Sequence, residues 1–294
     1  MHPYVAILIG VLSVASSAIF VKLSSADAGT IAFYRMLFSV MLMLPLFVGK
    51  HRHELKMIDR KQWAIMFLSG TFLAFHFILW FESLRYTSVA SSTVLVTLQP
   101  LFAIIGTYIL FKEPITRKTL VAAVITIGGS VLLAWGDVRI GGTALFGDML
   151  ALIACALISF YMLCGQSVRQ HISSTTYTII VYAVSALVLA VYIPVKGESF
   201  GPYPSIEWLW FILLAIIPNL LGHNLFNWSL KFVSANAISI AILFEPVGAS
   251  ILAYFIFKEQ LHASQVVGGI IVLAGIIFYT IDENKFKKFF QKNY

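Results

Sequence analysis

The chain reads as long apolar runs separated by short polar breaks. Each run is near the roughly 20 residues that an α-helix needs to cross a bilayer. Ten can be marked: 4–22, 30–48, 63–84, 88–111, 118–135, 146–167, 175–194, 208–230, 235–257 and 265–282. The pattern predicts an all-α polytopic membrane protein with ten transmembrane helices. Within the first run, Ala15-Ser16-Ser17-Ala18 looks like a signal-peptidase site. No Lys or Arg precedes it and nine runs follow, so a retained helix is expected, its small residues allowing close packing.

Composition removes the alternatives. Of 294 residues, 60% are hydrophobic and 11% charged, whereas soluble domains carry about 25% charged residues. A mean hydropathy of +0.90 points the same way. A soluble enzyme, a disulfide scaffold and a disordered chain are excluded, and the lipid bilayer is the expected surrounding. Cys155 and Cys164, nine residues apart in one run, face opposite sides of a helix, so neither a disulfide nor a metal clamp is expected. No cofactor and no metal are implied.

The net charge of +7 does not point to nucleic acid, because the basic residues fall in short clusters between runs. Loops on the N-terminal side of the membrane carry 14 of the 20 Lys and Arg, from Lys50 to Lys292, and the opposite loops carry Lys22, Arg85, Arg139, Lys196 and Lys258. The positive-inside rule then makes both termini cytoplasmic. Trp63, Trp80, Trp135, Trp208, Trp210 and Trp228 fall near helix ends, where an amphipathic ring prefers to sit.

A shift of 146 residues lays the sequence on itself. Ser83-Leu84 meets Ser229-Leu230, Pro100 meets Pro246, Tyr108 meets Tyr254, and Phe111-Lys112-Glu113 meets Phe257-Lys258-Glu259. Over 83–115, ten of 33 positions are identical, and Gly129 later meets Gly275. Two repeats follow, 1–140 and 146–294. Each holds five spans, an odd number, so the second enters the membrane inverted. Inverted repeats recur in secondary transporters, because two related halves that swap conformation expose one central site to alternate sides.

Phe33-Tyr34-Arg35 at the second span, SLRYTSVASS entering the fourth, Gln99-Pro100, Glu245-Pro246, and then FKEPI and FKEQL carry a family likeness. Over essentially its whole length the chain resembles the drug/metabolite transporter superfamily, in its ten-helix EamA branch. The resemblance implies a basket-like bundle with a central cavity lined by the first four helices of each half. It also implies export of a small-molecule solute, an amino acid, metabolite or drug, without saying which.

Glu245 stands halfway along its span, where an acid costs on the order of 2.5–3.5 kcal/mol. Its repeat mate is Gln99, and Pro100 and Pro246 follow the two. Each proline removes a backbone donor, so both helices are expected to kink or open at one depth as hinges of the site. Glu245 is the candidate proton carrier. Arg35 lies roughly 10 Å nearer the outside, where it either reaches Glu245 or solute, or snorkels to the interface.

His76 and His223 are nearly symmetric, and Asn219, His223 and Asn227 share a helix face with Asn224 beside it. They line the cavity or bond helix to helix. Tyr34, Trp80 and Tyr182 are candidate aromatic walls. Glu113 and Glu259 are expected to cap the next helix or pair with Lys112 and Lys258. Glu82 is expected in solvent, and the tail from Glu283, with four lysines among phenylalanines, on the anionic cytoplasmic leaflet.

No phosphate-binding loop is present, so transport is expected to be gradient-driven. The rivals are a facilitator, a haem protein using His76 and His223, and a scaffold without transport.

Overall fold

The computed structural model describes residues 2–99, 101–102, 117–140, 142–168, 172–229 and 244–280. Within them the regular elements are helices: α1 (Pro3–Ala15), α2 (Ser17–Leu23), α3 (Ala28–Leu46), α4 (Arg60–Tyr86), α5 (Val89–Val96), α6 (Arg117–Ile140), α7 (Gly142–Val168), α8 (Ser174–Lys196), α9 (Ser205–Leu214), α10 (Asn224–Ser229), α11 (Glu245–Phe257) and α12 (Ala263–Thr280). Among the described residues, six stretches are long and apolar enough to cross a membrane: Val5–Leu23, Ala28–Met57, Arg60–Tyr86, Gly142–Gly165, Ser174–Lys196 and Ser205–Phe226. Leu120–Leu132, Glu245–Phe257 and Ala263–Gly275 are shorter apolar helices. The 88–111 and 235–257 runs lie partly outside the described residues, as do Pro100, Glu113 and the tail.

Local chemistry sets the helix ends. Asp59 opens α4 with a capping box: Gln62 N–H donates to its carboxylate at 2.7 Å, and Asp59 N–H donates to the Gln62 side chain at 3.0 Å. Ser88 and Ser173 cap α5 and α8 in the same way. Gly197 ends α8 with φ +79°, a backbone conformation that only glycine adopts freely.

Two departures from a plain α-helix matter for the site, besides the π-helical end of the second run at Phe47–His51 and the turn at Thr97 and Leu98 in the fourth. The first run breaks at Ser16, where the Ser13 and Ser16 hydroxyls both donate to backbone carbonyls, of Ile9 and Ser13, at 2.7 Å. Such bonds compete with the helical ladder. The eighth widens into a π-helix over Ala215–His223 around Pro218. Proline lacks an N–H and crowds the carbonyl one turn back. The wider turn absorbs that, and Asn224 N–H reaches back five residues to the Asn219 carbonyl.

Helix pairing defines the bundle. α4 packs on α7 and α8, α3 on α8 and α4, α6 on α12, α5 on α11, and α1 on the 215–223 π-helix. Lipid takes the place of water on the outside, so large apolar side chains such as Leu12, Phe67, Leu187, Val191 and Ile270 stay exposed. Inside, hydroxyls and glycines let the helices approach closely. A Cβ at Gly129 would stand 2.8 Å from Val272 N, and one at Gly275 would stand 2.5 Å from the Thr126 hydroxyl. Both contacts sit at the α6–α12 seam. Val272 and Thr126 are themselves 146 residues apart, as the two glycines are.

The α4–α8 seam is as tight. A Cβ at Gly70 would stand 2.7 Å from Val184 and 2.9 Å from the Val181 carbonyl oxygen. Gly70→Leu is therefore expected to cost about 1–3 kcal/mol, read as a lower unfolding midpoint in detergent. Gly49→Leu, at a position with nothing within 4 Å, is the control and should leave the midpoint unchanged.

Candidate functional site: a buried arginine between the halves

Arg35 is the largest fully buried side chain, 1% exposed, and it projects from α3 into the bundle. Its Nε and Nη2 donate to Asn219 Oδ1 at 2.9 and 2.6 Å, and its Nη1 donates to Ser17 Oγ at 2.9 Å. The guanidinium lies over the Phe77 ring, 4.3 Å from its centroid, with Phe81 at 5.7 Å. Asn219 is held in turn: its Nδ2 donates to Ser39 Oγ at 2.8 Å, and Ser39 Oγ donates to the Arg35 carbonyl at 2.7 Å. One ring of bonds thus links α2, α3 and the π-helix.

Among the described residues, no acid pairs directly with this cation. The ion pairs among the described residues are Lys22–Glu259, His51–Glu54, Arg85–Asp27 and Arg85–Glu82, and Arg35 belongs to none of them. Its electrostatic neighbours are Tyr182 and Glu245, and His76 and His223 feel its charge as well. Six candidates from the sequence are therefore gathered in one region: Arg35, His76, Tyr182, Asn219, His223 and Glu245.

Each sits on a defined element. Glu245 is half-buried at the first position of α11, with Pro246 behind it in the first turn and Phe244 as a turn residue before it. Its carboxylate is favourably placed, since the N-terminus of a helix carries partial positive charge. His76 donates from Nδ1 to the Ala154 carbonyl at 2.9 Å, because a carbonyl can only accept. A neutral His76 then presents Nε2 as an acceptor. Its ring stacks on Trp80 at 5.9 Å and 19°. Trp80 is buried and its Nε1 has no hydrogen-bond partner among the described residues.

Other candidates lie elsewhere. The Tyr34 hydroxyl donates to the Phe200 carbonyl at 2.7 Å, and its ring packs against Phe211 and Trp208, both at 4.9 Å. It belongs to an aromatic cluster under the 197–204 segment rather than to the Arg35 group. Gln99 is half-buried past a turn at Thr97 and Leu98, and its carbonyl accepts from Ser159 at 3.4 Å. Asn224 is half-buried at the start of α10. The Asn227 side chain and Pro100 lie outside the described residues. Cys155 and Cys164 are not joined by a disulfide.

Polar ties close the end of the bundle that holds Lys22, Arg85 and Lys196. Glu259 pairs with Lys22 at 3.0 Å and accepts the Val89 N–H at 2.7 Å. It caps α5, not the next helix in the chain. Glu207 binds Ser24 and Ser25 through side chain and backbone. Glu198 accepts the Thr30 N–H at 3.0 Å; burial and nearby Asp27 push its carboxyl above the usual range, against the Gly29 and Thr30 amides that pull it down. At the other end, Glu54 bonds His51 and the Ser173 N–H, both at 2.9 Å.

Similarity to known proteins agrees with this architecture. The profile of the EamA-like transporter family matches residues 2–135 and, a second time, 145–281. The chain belongs to the EamA-like transporter family. It is thus a transmembrane transporter of the drug/metabolite superfamily. An uncharacterized transporter of Archaeoglobus fulgidus is 24% identical over 92% of this chain and 94% of its own length. The S-adenosylmethionine uptake transporter of Rickettsia prowazekii is 28% identical over 87% of this chain and 83% of its own. A solved crystal structure superposes with a TM-score of 0.66, covering 94% of this chain and 95% of that one at 13% identity, which speaks for the fold alone.

In this EamA-like chain, sequence reasoning missed Ser17, Ser39, Phe77 and Phe81 as the holders of Arg35. The signal for Ser39 was available, four residues on from Arg35 and so on the same helix face. Two tyrosines separate structural from site roles. Tyr34→Phe loses a hydrogen bond and is expected to lower stability by about 1 kcal/mol. Tyr182→Phe, whose hydroxyl bonds nothing among the described residues, should leave the melting midpoint of purified protein unchanged.

Proposed function

We propose that this protein is a secondary active transporter that exports small metabolites, amino acids or drug-like solutes by alternating access, with Glu245 carrying a coupling proton. The observation that carries the reading is a cation and an acid, Arg35 and Glu245, placed as electrostatic neighbours inside a membrane transporter without pairing directly. Intramembrane charges are expensive and are retained for a task. The S-adenosylmethionine uptake transporter makes uptake the rival direction, and a facilitator without proton coupling is the rival mode.

Ten spans in two inverted repeats are the frame for alternating access. Helix pairing supports this: α1 against the 215–223 π-helix and α4 against α7 are related by a shift of 146 residues. The reciprocal contacts at Gly129 and Gly275, and the family profile matching twice, support it too. Both termini are then cytoplasmic, in a bacterial-type plasma membrane. Single cysteines near His53 and Lys285 should be labelled only from the cytoplasm, and one near Gly201 only from outside. Labelling of positions 53 and 201 from the same side contradicts the inverted arrangement.

Coupling is tested by flux in proteoliposomes under an imposed pH gradient, with amino acids as the labelled probes. Glu245→Gln keeps the shape and cannot ionise. It is expected to abolish uphill, pH-driven accumulation while exchange of preloaded solute survives, because exchange needs no net proton movement. Accumulation as steep as wild type removes Glu245 as the proton carrier and favours the facilitator or another titratable group.

A further inference from the structure

We propose that Asn219 is a specificity-determining residue: a neutral clamp that holds the Arg35 guanidinium in place while leaving its charge for the carboxylate of an anionic or zwitterionic solute. The inference rests on the reading of the Arg35 region as the transport site, and adds to it what sets the charge preference.

The bonding pattern fixes the clamp. A guanidinium only donates, so the Asn219 oxygen must face it. The Asn219 NH2 then points to Ser39 Oγ at 2.8 Å, and Ser39 is anchored on the Arg35 carbonyl at 2.7 Å. An amide thus occupies the place in which a carboxylate would normally meet a buried arginine. It copies the carboxylate's accepting oxygen but not its charge.

Chemistry remains available at the cation. Of the five N–H bonds of a guanidinium, Nε, Nη1 and Nη2 each commit one, to Asn219 and Ser17, which leaves two. Phe77 covers one face of the plane at 4.3 Å. Directed donors and an unneutralised charge therefore remain for a planar carboxylate, the partner that a guanidinium fork fits best. Aspartate at 219 would have the same shape and would close the pair permanently. A buried cation without a direct ion pair is costly even with Glu245 as an electrostatic neighbour, and that cost is understandable where an incoming solute supplies the direct partner.

The test measures binding to purified full-length protein in detergent by thermal shift. Its probes are the common L-amino acids, each against its C-terminal amide, with benzoate against benzamide. Wild type is expected to bind at least one acid about tenfold or more tightly than the matching amide, as a charge-assisted bond implies. Asn219→Asp should abolish that preference and leave the amide's affinity within a few-fold. Ser39→Ala, which frees the Asn219 amide to turn its NH2 toward the cation, should reduce it.

A wild-type acid preference that survives in Asn219→Asp overturns the clamp and leaves the site reading standing. An equal response of wild type to acids and amides, or no response to any carboxylate, overturns the anion site itself. If Asn219→Asp does not yield folded protein, Ser39→Ala decides alone, and an undiminished preference there counts against the clamp. Binding in detergent needs neither turnover nor a gradient, so its failure is separate from a failure of Glu245 coupling.

Discussion

A guanidinium buried inside a membrane bundle must have its donors satisfied and its position fixed by the protein, because lipid provides neither acceptors nor charge. Arg35 meets that demand for three of its five N–H bonds, and for its position, with groups from four elements. Ser17 comes from α2, Ser39 from its own helix α3, Phe77 and Phe81 from α4, and Asn219 from the π-helix. Two of the departures from regular helix lie beside these groups. The break at Ser16 immediately precedes Ser17, and the wide turn around Pro218 carries Asn219. The two irregular segments and the cation form one structural unit that joins the first half of the chain to the second.

Much of this was legible in the sequence, for identifiable reasons. Apolar run length is set by bilayer thickness, so the six described stretches long enough to cross a membrane overlap runs that can be read from the pattern alone. Arg35, Glu245, His76 and Asn219 stood out because polar groups within apolar runs are rare and need a physical reason. The partners were not legible. Arg35 and Asn219 are 184 residues apart, and a helix-to-helix contact leaves no local trace at either position. Depth counting placed Arg35 a helical turn or more from Glu245 and left the amide of Asn219 out of account.

Tyr34 illustrates a different limit. It was expected as an aromatic wall of the cavity, yet adjacent residues of a helix point about 100° apart. Arg35 turns into the bundle, and Tyr34 turns toward Phe200, Trp208 and Phe211. The π-helix was equally hidden, since Pro218 announces a disturbance but not whether the chain kinks or widens. Glu259 shows the same for the loops. Its role in ending a span was foreseeable, but its partner, the first N–H of α5, is far away in sequence.

These contacts differ in how readily they can be exchanged, which bears on any mechanism that opens the two ends in turn. The α6–α12 seam is a close approach at two glycines: a Cβ at Gly129 would meet the backbone of Val272, and one at Gly275 would meet the hydroxyl of Thr126. Contacts of that kind resist sliding, because any displacement that brings side chains opposite the glycines produces overlap. The ties near Lys22 are of another sort. Lys22–Glu259 is partly solvated, and exposed ion pairs are typically worth about 0.2–1 kcal/mol. Water can replace each partner of such a pair as it separates, whereas nothing in lipid can replace the contacts of a glycine seam. Movement is therefore easier at the polar end than across the α6–α12 seam. The Arg35 ring lies between these extremes, since its hydrogen bonds are buried yet run to neutral side chains rather than to an acid.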